Sequence, residues 1–236
     1  MGEPIRFRPL PGPRDPAWRS FMTVYAGAFD AGELESEAGI VRNMSTPQAP
    51  RDDGHVVVVA ETPDGECAGG IIFSYLPAVH CGYASYLCVA PPWRERGIAR
   101  ALLTEMRRGL AAAARARRWP APRGLFTEIK RETAERADSY ARLAFWRHQG
   151  VRPLAVDWKY PALHEHAGPL PAYLAFGSYG DAVDWYPADV EAVAGAIFGA
   201  TYSYLPTAAA TLGLIADGLR RLPDRPIPYI IPAAPP

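Results

Sequence analysis

The residues best suited to chemistry lie in Tyr86–Leu103, where an apolar run, a Pro-stiffened loop and a helix start follow one another. Arg94-x-x-Gly97-x-Ala99 stands at the turn into that helix. A helix start leaves about four backbone N–H groups without intrahelical partners and carries about half a positive charge from the macrodipole. Small residues there let an anion approach the bare amides, and Arg94 and Arg96 add cationic donors. The pattern therefore suits a phosphate or pyrophosphate. An ordinary strand-to-helix turn with solvated arginines is the simpler reading of the same residues. The flanks favour the anion site. The run before it is apolar, and Ile98, Leu102, Met106 and Leu110 recur every fourth residue as one buried helical stripe.

Glu128 is the second chemical candidate. It lies near the carboxyl end of an otherwise apolar strand, Gly124–Ile129, and parallel α/β arrangements bind ligands at that end. A partly desolvated carboxylate there would have a raised pKa, as a general base needs. The same residue could equally be a strand-end surface charge paired with Lys130 or Arg131, and the sequence leaves both readings open. Glu61 is a weaker candidate base, because it precedes a turn and reads as solvated. His164-x-His166 could ligate a metal, but no further Cys/His cluster has suitable spacing, so it reads as loop. Asp138 and Arg142, four apart on a helix, read as an ion pair. Trp93 reads as a packing anchor.

The elements that must position these groups follow from periodicity and punctuation. Ile5–Leu10 alternates as a half-exposed strand. Asp15-Pro16 opens a helix that runs to about Phe29, and a short helix covers about Leu34–Asn43. Val56–Ala60 is a β-branched strand. Thr62-Pro-Asp-Gly65 turns it into a returning strand, Gly69–Leu76. Tyr83–Val89 feeds the Arg94–Ala99 turn. The helix from Gly97 ends before Pro120 and leads to Gly124–Ile129, which is parallel to Tyr83–Val89 if the helix is a crossover. A helix over about Ala134–Gln149 is stopped by Gly150. Strands are expected over Val151–Trp158 and Ala172–Tyr179. Two helical patterns follow, Ala188–Phe198 and Thr207–Leu222, separated by Tyr202–Pro206. A Pro-rich tail starts at Pro223.

The Arg94–Ala99 motif in this setting resembles the acetyl-coenzyme A motif of the GNAT acetyltransferases, Arg/Gln-x-x-Gly-x-Gly/Ala. Phe145-Trp-Arg-His-Gln-Gly-Val151 resembles the ending of that family's last core helix, and the order of elements is also similar. The resemblance is strongest over about residues 55–160 and fades on either side. It implies an α/β fold of the GNAT type. The sheet would be mixed, mostly antiparallel and twisted, flanked by helices, with a V-shaped splay between two parallel central strands. It implies a GNAT domain over residues 1–180, with 181–236 as a helical extension and Pro-rich tail that could cover the sheet, complete the substrate pocket or form a homodimer contact. Covering ranks first, because apolar helix faces must be buried.

What the resemblance implies chemically is N-acetylation, EC class 2.3.1, with acetyl-CoA as co-substrate. A primary amine of a small molecule would attack the thioester directly in a ternary complex. Leu87, Cys88 and Val89 would pair with the pantetheine arm through their backbone, and an N–H near Val89 would serve as oxyanion donor. Arg94, Glu95, Arg96, Gly97, Ile98, Ala99 and Arg100 would hold the pyrophosphate. Many members of the family use a Tyr as general acid where this chain has Trp146, which cannot give that proton. Tyr140, nearly two turns earlier, is the substitute candidate. This departure keeps a second class open, a non-catalytic acyl-CoA-binding or sensing module. An acyltransferase acting on a protein amine is a further alternative.

Composition agrees with a soluble globular protein and argues against other classes. Lys+Arg and Asp+Glu are both 25 in 236 residues, so no broad nucleic-acid footprint or polybasic membrane patch is expected. No stretch is apolar enough to span a bilayer, Met1-Gly-Glu-Pro has no apolar signal core, and no metal is expected. Cys67, Cys81 and Cys88 cannot all pair within one chain and read as reduced thiols of a cytoplasmic protein.

Overall fold

The computed structural model describes residues 4–46, 48–131, 137–163 and 168–230, with the side chains of 137–139 excepted. The chain divides into two compact units: Met1–Tyr75 with Ala84–Ala121, and Leu76–Tyr83 with Pro122–Pro236.

In the first unit, β1 (Arg6–Pro9) pairs antiparallel with β2 (Val56–Glu61), and β2 pairs antiparallel with β3 (Cys67–Leu76) around the turn at Gly65. Alternation along β2 separates two faces. Val57 and Val59 join the cluster built by α1 (Trp18–Ala26) and α2 (Glu37–Asn43), through Trp18, Phe21, Tyr25 and Ile40. The other face is covered by α3 (Ile98–Ala116), which follows β4 (Cys81–Val89). The expected stripe Ile98, Leu102, Met106 and Leu110 is buried.

Gly69 and Gly70 explain how helices approach both faces of β3. A Cβ on Gly70 would lie 2.6 Å from the Phe21 ring on one side. A Cβ on Gly69 would lie 2.7 Å from the Cys88 carbonyl and 3.2 Å from Ile98 on the other. Side chains there would push α1 or α3 outward, so the pair is required for close packing.

Two helix starts differ from the sequence expectation for local hydrogen-bonding reasons. Asp15 accepts the Ala17 N–H on its side chain at 3.0 Å and the Trp18 N–H on its carbonyl at 3.0 Å. It therefore closes a turn ahead of α1, which begins two residues later than Asp15-Pro16 suggests. The Glu35 amide donates to the Tyr25 hydroxyl at 2.8 Å, so the chain is not yet helical there. The Ser36 hydroxyl then caps α2 by accepting from Gly39 at 3.1 Å.

In the second unit, β5 (Gly124–Lys130) pairs antiparallel with β8 (Leu170–Ser178). The opposite edge of β8 takes β6 (Arg152–Pro153) and β7 (Trp158–Tyr160). The single strand expected over Val151–Trp158 is thus two strands. Between them, Val156 N–H donates to the Leu154 carbonyl (2.8 Å) and Trp158 N–H to the Val156 carbonyl (3.0 Å). These bonds fold the chain on itself and return Trp158 to β8 opposite Ala172.

The α4 helix (Ala137–His148) ends as the Gly150 stop predicts. Gly150 has φ 79°, its N–H donates to Arg147, and the Val151 N–H donates to Trp146 at 3.0 Å, a Schellman ending. The Asp138–Arg142 pairing and His164-x-His166 lie outside the described residues. After residue 180 come α5 (Pro187–Ile197), a π-helical turn Phe198–Tyr202 and α6 (Ala208–Arg220). Trp185, Val190, Val193, Ile197, Ile215 and Leu219 share one hydrophobic cluster with Phe126, Leu174 and Phe176 of β5 and β8. The Pro-rich tail is docked as far as residue 230. Ile227 N–H donates to Trp185, Ala155 N–H to Pro228 and Ile230 N–H to Pro153, all at 2.8–2.9 Å. Among the described residues, no helix is long and apolar enough to cross a membrane.

Arg8 ties β1 to β2 and to the turn before α1. Its guanidinium donates to Glu61 at 2.6 and 3.0 Å and to Asp15 at 2.7 and 2.8 Å, a double bidentate clamp with all three side chains largely buried. Glu61 is therefore a clamped ion-pair partner, where the sequence suggested a solvated carboxylate. The Arg8 hydrogen bonds hold the Asp15 and Glu61 carboxyls below their ordinary pKa. A carboxyl that titrates lower folded than unfolded adds stability in full above its unfolded pKa, and loses it as pH falls through the folded one. Arg8→Met is expected to cost about 2 kcal/mol at pH 7. In urea titrations this deficit should narrow as pH drops below about 4.

Candidate active site

The helix start at residues 94–100 belongs to the first unit. β4 passes through a 3₁₀ turn, Pro91–Trp93, into α3. Glu95 and Gly97 both have left-handed backbones, φ 62° and 80°. Glycine adopts this conformation readily, whereas Glu95 stores local strain. The first α3 bond runs from Ala101 N–H to the Gly97 carbonyl at 3.0 Å, so the amides of Ile98, Ala99 and Arg100 precede the helical ladder. Space around Gly97 is open, with nothing within 4 Å of where a Cβ would stand. Ile98 is buried and anchors the turn, Ala99 is half-buried, and Arg94, Glu95, Arg96 and Arg100 are exposed. Arg94 Nε donates to the Val89 carbonyl at 3.3 Å, and the Arg96 guanidinium sits 5.0 Å above the half-buried Trp93 ring.

Leu87 and Val89 are partly exposed, whereas Cys88 is buried between them. Burial pushes the Cys88 thiol up to about 12, so it is protonated and inert as a nucleophile. Cys67 and Cys81 are likewise free and buried. At 87–89 only the backbone is chemically available.

Glu128, on β5 in the second unit, sits in a cage of donors. Tyr83 and Tyr202 hydroxyls both donate to its Oε2 at 2.5 Å. Trp158 Nε1 donates to Oε1 at 2.6 Å. The two tyrosine oxygens are 3.4 Å apart. Tyr83, Trp158 and Tyr202 are buried, and Phe198 meets the Trp158 and Tyr202 rings edge-on at 6.3 and 5.2 Å. Desolvation raises the Glu128 pKa above its ordinary value, against the opposing pull of the three hydrogen bonds. A carboxylate has about four acceptor positions. Among the described residues three are filled, and one on Oε1 is left.

Of the two readings of Glu128 left open by sequence, the surface carboxylate paired with Lys130 or Arg131 is excluded, because its partners are Tyr83, Trp158 and Tyr202. Arg131 instead donates to the Ala172 carbonyl and pairs with Asp157. Tyr140 lies half-buried on α4 and is not among the Glu128 donors. Trp146 is a buried residue of the same helix. Among the described residues no group of three His, Cys, Asp or Glu could hold a metal ion.

Sequence reasoning found Glu128 but missed its three partners. They stand 45, 30 and 74 positions away from it. Tyr83 lies inside β4, whereas Trp158 starts β7 and Tyr202 ends the π turn. No local pattern marks them.

Residues 52–151 match the family model of the acetyltransferase (GNAT) domain. Over those residues the chain is similar to a GNAT acetyltransferase domain, and its fold is the mixed, mostly antiparallel α/β fold of that family. A putative GNAT-family acetyltransferase from Bacteroides thetaiotaomicron is similar at 17% identity and TM-score 0.61, over 85% of this chain and 98% of that one. The ribosomal-protein-S18-alanine N-acetyltransferase from Escherichia coli is similar at 15% identity and TM-score 0.51, over 76% and 96%. At these identities the likeness is one of fold. No curated protein matches the chain.

The cage carries an expectation that needs no substrate. In ¹³C NMR titrations of the labelled protein, one glutamate carboxyl should titrate above about 4.5, and Glu128→Gln should remove that signal. A full set of ordinary glutamate midpoints would contradict the desolvated carboxylate.

Proposed function

We propose that the protein is an N-acetyltransferase that moves the acetyl group of acetyl-coenzyme A onto a primary amine of a small molecule, with Glu128 as general base. The observation that carries this reading is Glu128 itself, a desolvated carboxylate with one acceptor position left on Oε1. Acetyl-coenzyme A supplies an already activated thioester. The chain must hold it, remove a proton from the attacking ammonium and let the thiolate leave.

The residues present fit the first task. The amides of Ile98, Ala99 and Arg100 precede the helical ladder, the dipole favours an anion, and Arg94, Arg96 and Arg100 are exposed cations. The Leu87–Val89 backbone is the proposed partner of the pantetheine arm, with Glu95 and Gly97 shaping the turn. For the second task, Oε1 of Glu128 takes the amine proton. The C–N bond then forms as the C–S bond breaks, and the thiolate takes a proton from solvent or from Tyr140. Tyr140 is the candidate acid because it lies on α4 and its hydroxyl is not given to Glu128.

A second reading has its own support. Three donors would satisfy a purely structural carboxylate, and the family's usual acid position holds Trp146. This favours a non-catalytic acyl-coenzyme A-binding protein. Turnover separates the two. A panel of small amines and alanyl peptides, with thiol release as readout, should yield an acceptor, and the peptides also test for a protein amine. Glu128→Gln should then lower kcat by about 10²–10³-fold while calorimetry shows unchanged acetyl-coenzyme A affinity. Gly97→Glu should instead abolish binding, through backbone strain and a negative charge at the anion site. Binding without turnover on any amine would favour the second reading, and no binding by the parent protein would sink both.

A further inference from the structure

The family-matched segment ends at residue 151. Two of the three donors to Glu128 lie after it. Trp158 starts β7, and Tyr202 ends the π-helical turn that joins α5 to the turn before α6. A π turn inserts an extra residue per turn and is uncommon outside places where it re-aims a side chain. Here it delivers the Tyr202 hydroxyl to within 2.5 Å of Oε2, while Phe198, one π turn earlier, braces the ring at 5.2 Å.

We propose that Tyr202, contributed by the segment after residue 180, is a positioning residue that fixes the Glu128 carboxylate for proton uptake at Oε1. This rests on the reading of Glu128 as the base. Tyr83 and Tyr202 together occupy Oε2, and Trp158 takes one side of Oε1. The carboxylate plane is therefore set by donors on both oxygens, and the one remaining acceptor position has a single direction. The segment after residue 180 then does more than cover apolar surface, because it completes the hydrogen bonding of the proposed catalytic group.

The groups around the carboxylate are few. Tyr83 comes from β4, Tyr202 from the π turn and Trp158 from β7, while Leu174 is its register partner on β8. Lys130 is two residues on along β5, and Lys159 of β7 pairs with Asp157. Among the described residues no charged side chain contributes to the state of Glu128, which follows from burial and the three hydrogen bonds. Loss of one donor to the ionised form should therefore make the carboxyl harder to ionise.

The experiment is the pH profile of kcat/KM for the full-length chain, with acetyl-coenzyme A and the acceptor found in the amine panel. In Tyr202→Phe the acid limb should move up by about one pH unit. At the optimum kcat should fall about tenfold with KM for acetyl-coenzyme A unchanged. Adding Tyr202→Phe to Glu128→Gln should cost nothing further, because the hydroxyl acts through the carboxylate. If Tyr202→Phe folds poorly, 3-fluorotyrosine at 202 serves instead, since its more acidic hydroxyl should move the limb down. An unmoved limb in these proteins overturns the inference, and so does a Tyr202→Phe loss that adds in full to that of Glu128→Gln. A Glu128→Gln protein that keeps the limb overturns the base reading itself.

Discussion

The second unit is organised around the cost of holding one carboxylate out of water. An ionised carboxyl is expensive to bury unless hydrogen bonds replace its hydration. Glu128 meets that demand with two hydroxyls and an indole N–H, and burial still dominates enough to raise its pKa. Each donor has to be brought from a different part of the chain. The register of β7 on β8 sets Trp158 opposite Ala172, and the π turn after α5 aims Tyr202. The fold-back at Leu154–Trp158 returns Trp158 to β8, from where its indole reaches Glu128.

The first unit is governed by close backbone approach. Gly69 and Gly70 let α3 and α1 press on opposite faces of β3, and this seats Ile98 beneath the turn at 94–97. The left-handed backbone at Gly97 then starts α3 with its amides outside the helical ladder. The chemical value of the turn lies in backbone groups, so side chains such as Cys88 can be buried and inert without loss. Arg8 performs a comparable anchoring at the edge, joining β1, β2 and the turn before α1 through two carboxylates.

Much of this was readable from residue order because it depends on local rules. The every-fourth-residue stripe from Ile98 to Leu110, the Gly65 turn, the Gly150 stop and the small residues at 97 and 99 are short-range signals. The same rules misplaced the start of α1 and ran one strand through 154–157. There, side-chain and i to i−2 hydrogen bonds compete with the regular ladders and leave little trace in polarity or periodicity. Glu128 itself was readable as a carboxylate in an apolar strand, but its state was not. Burial and pairing depend on residues that no spacing rule connects to it.

By itself, then, the sequence determined the acetyltransferase-type motif, the succession of elements and the presence of a carboxylate at the end of an apolar strand. These are matters of propensity and short spacing. Only the tertiary structure decided that Glu61 is clamped by Arg8, that Cys88 is sealed, and that Glu128 is ringed by Tyr83, Trp158 and Tyr202. The reason is physical. Desolvation and hydrogen-bond satisfaction are properties of a three-dimensional neighbourhood, and this neighbourhood is assembled from positions up to 119 residues apart.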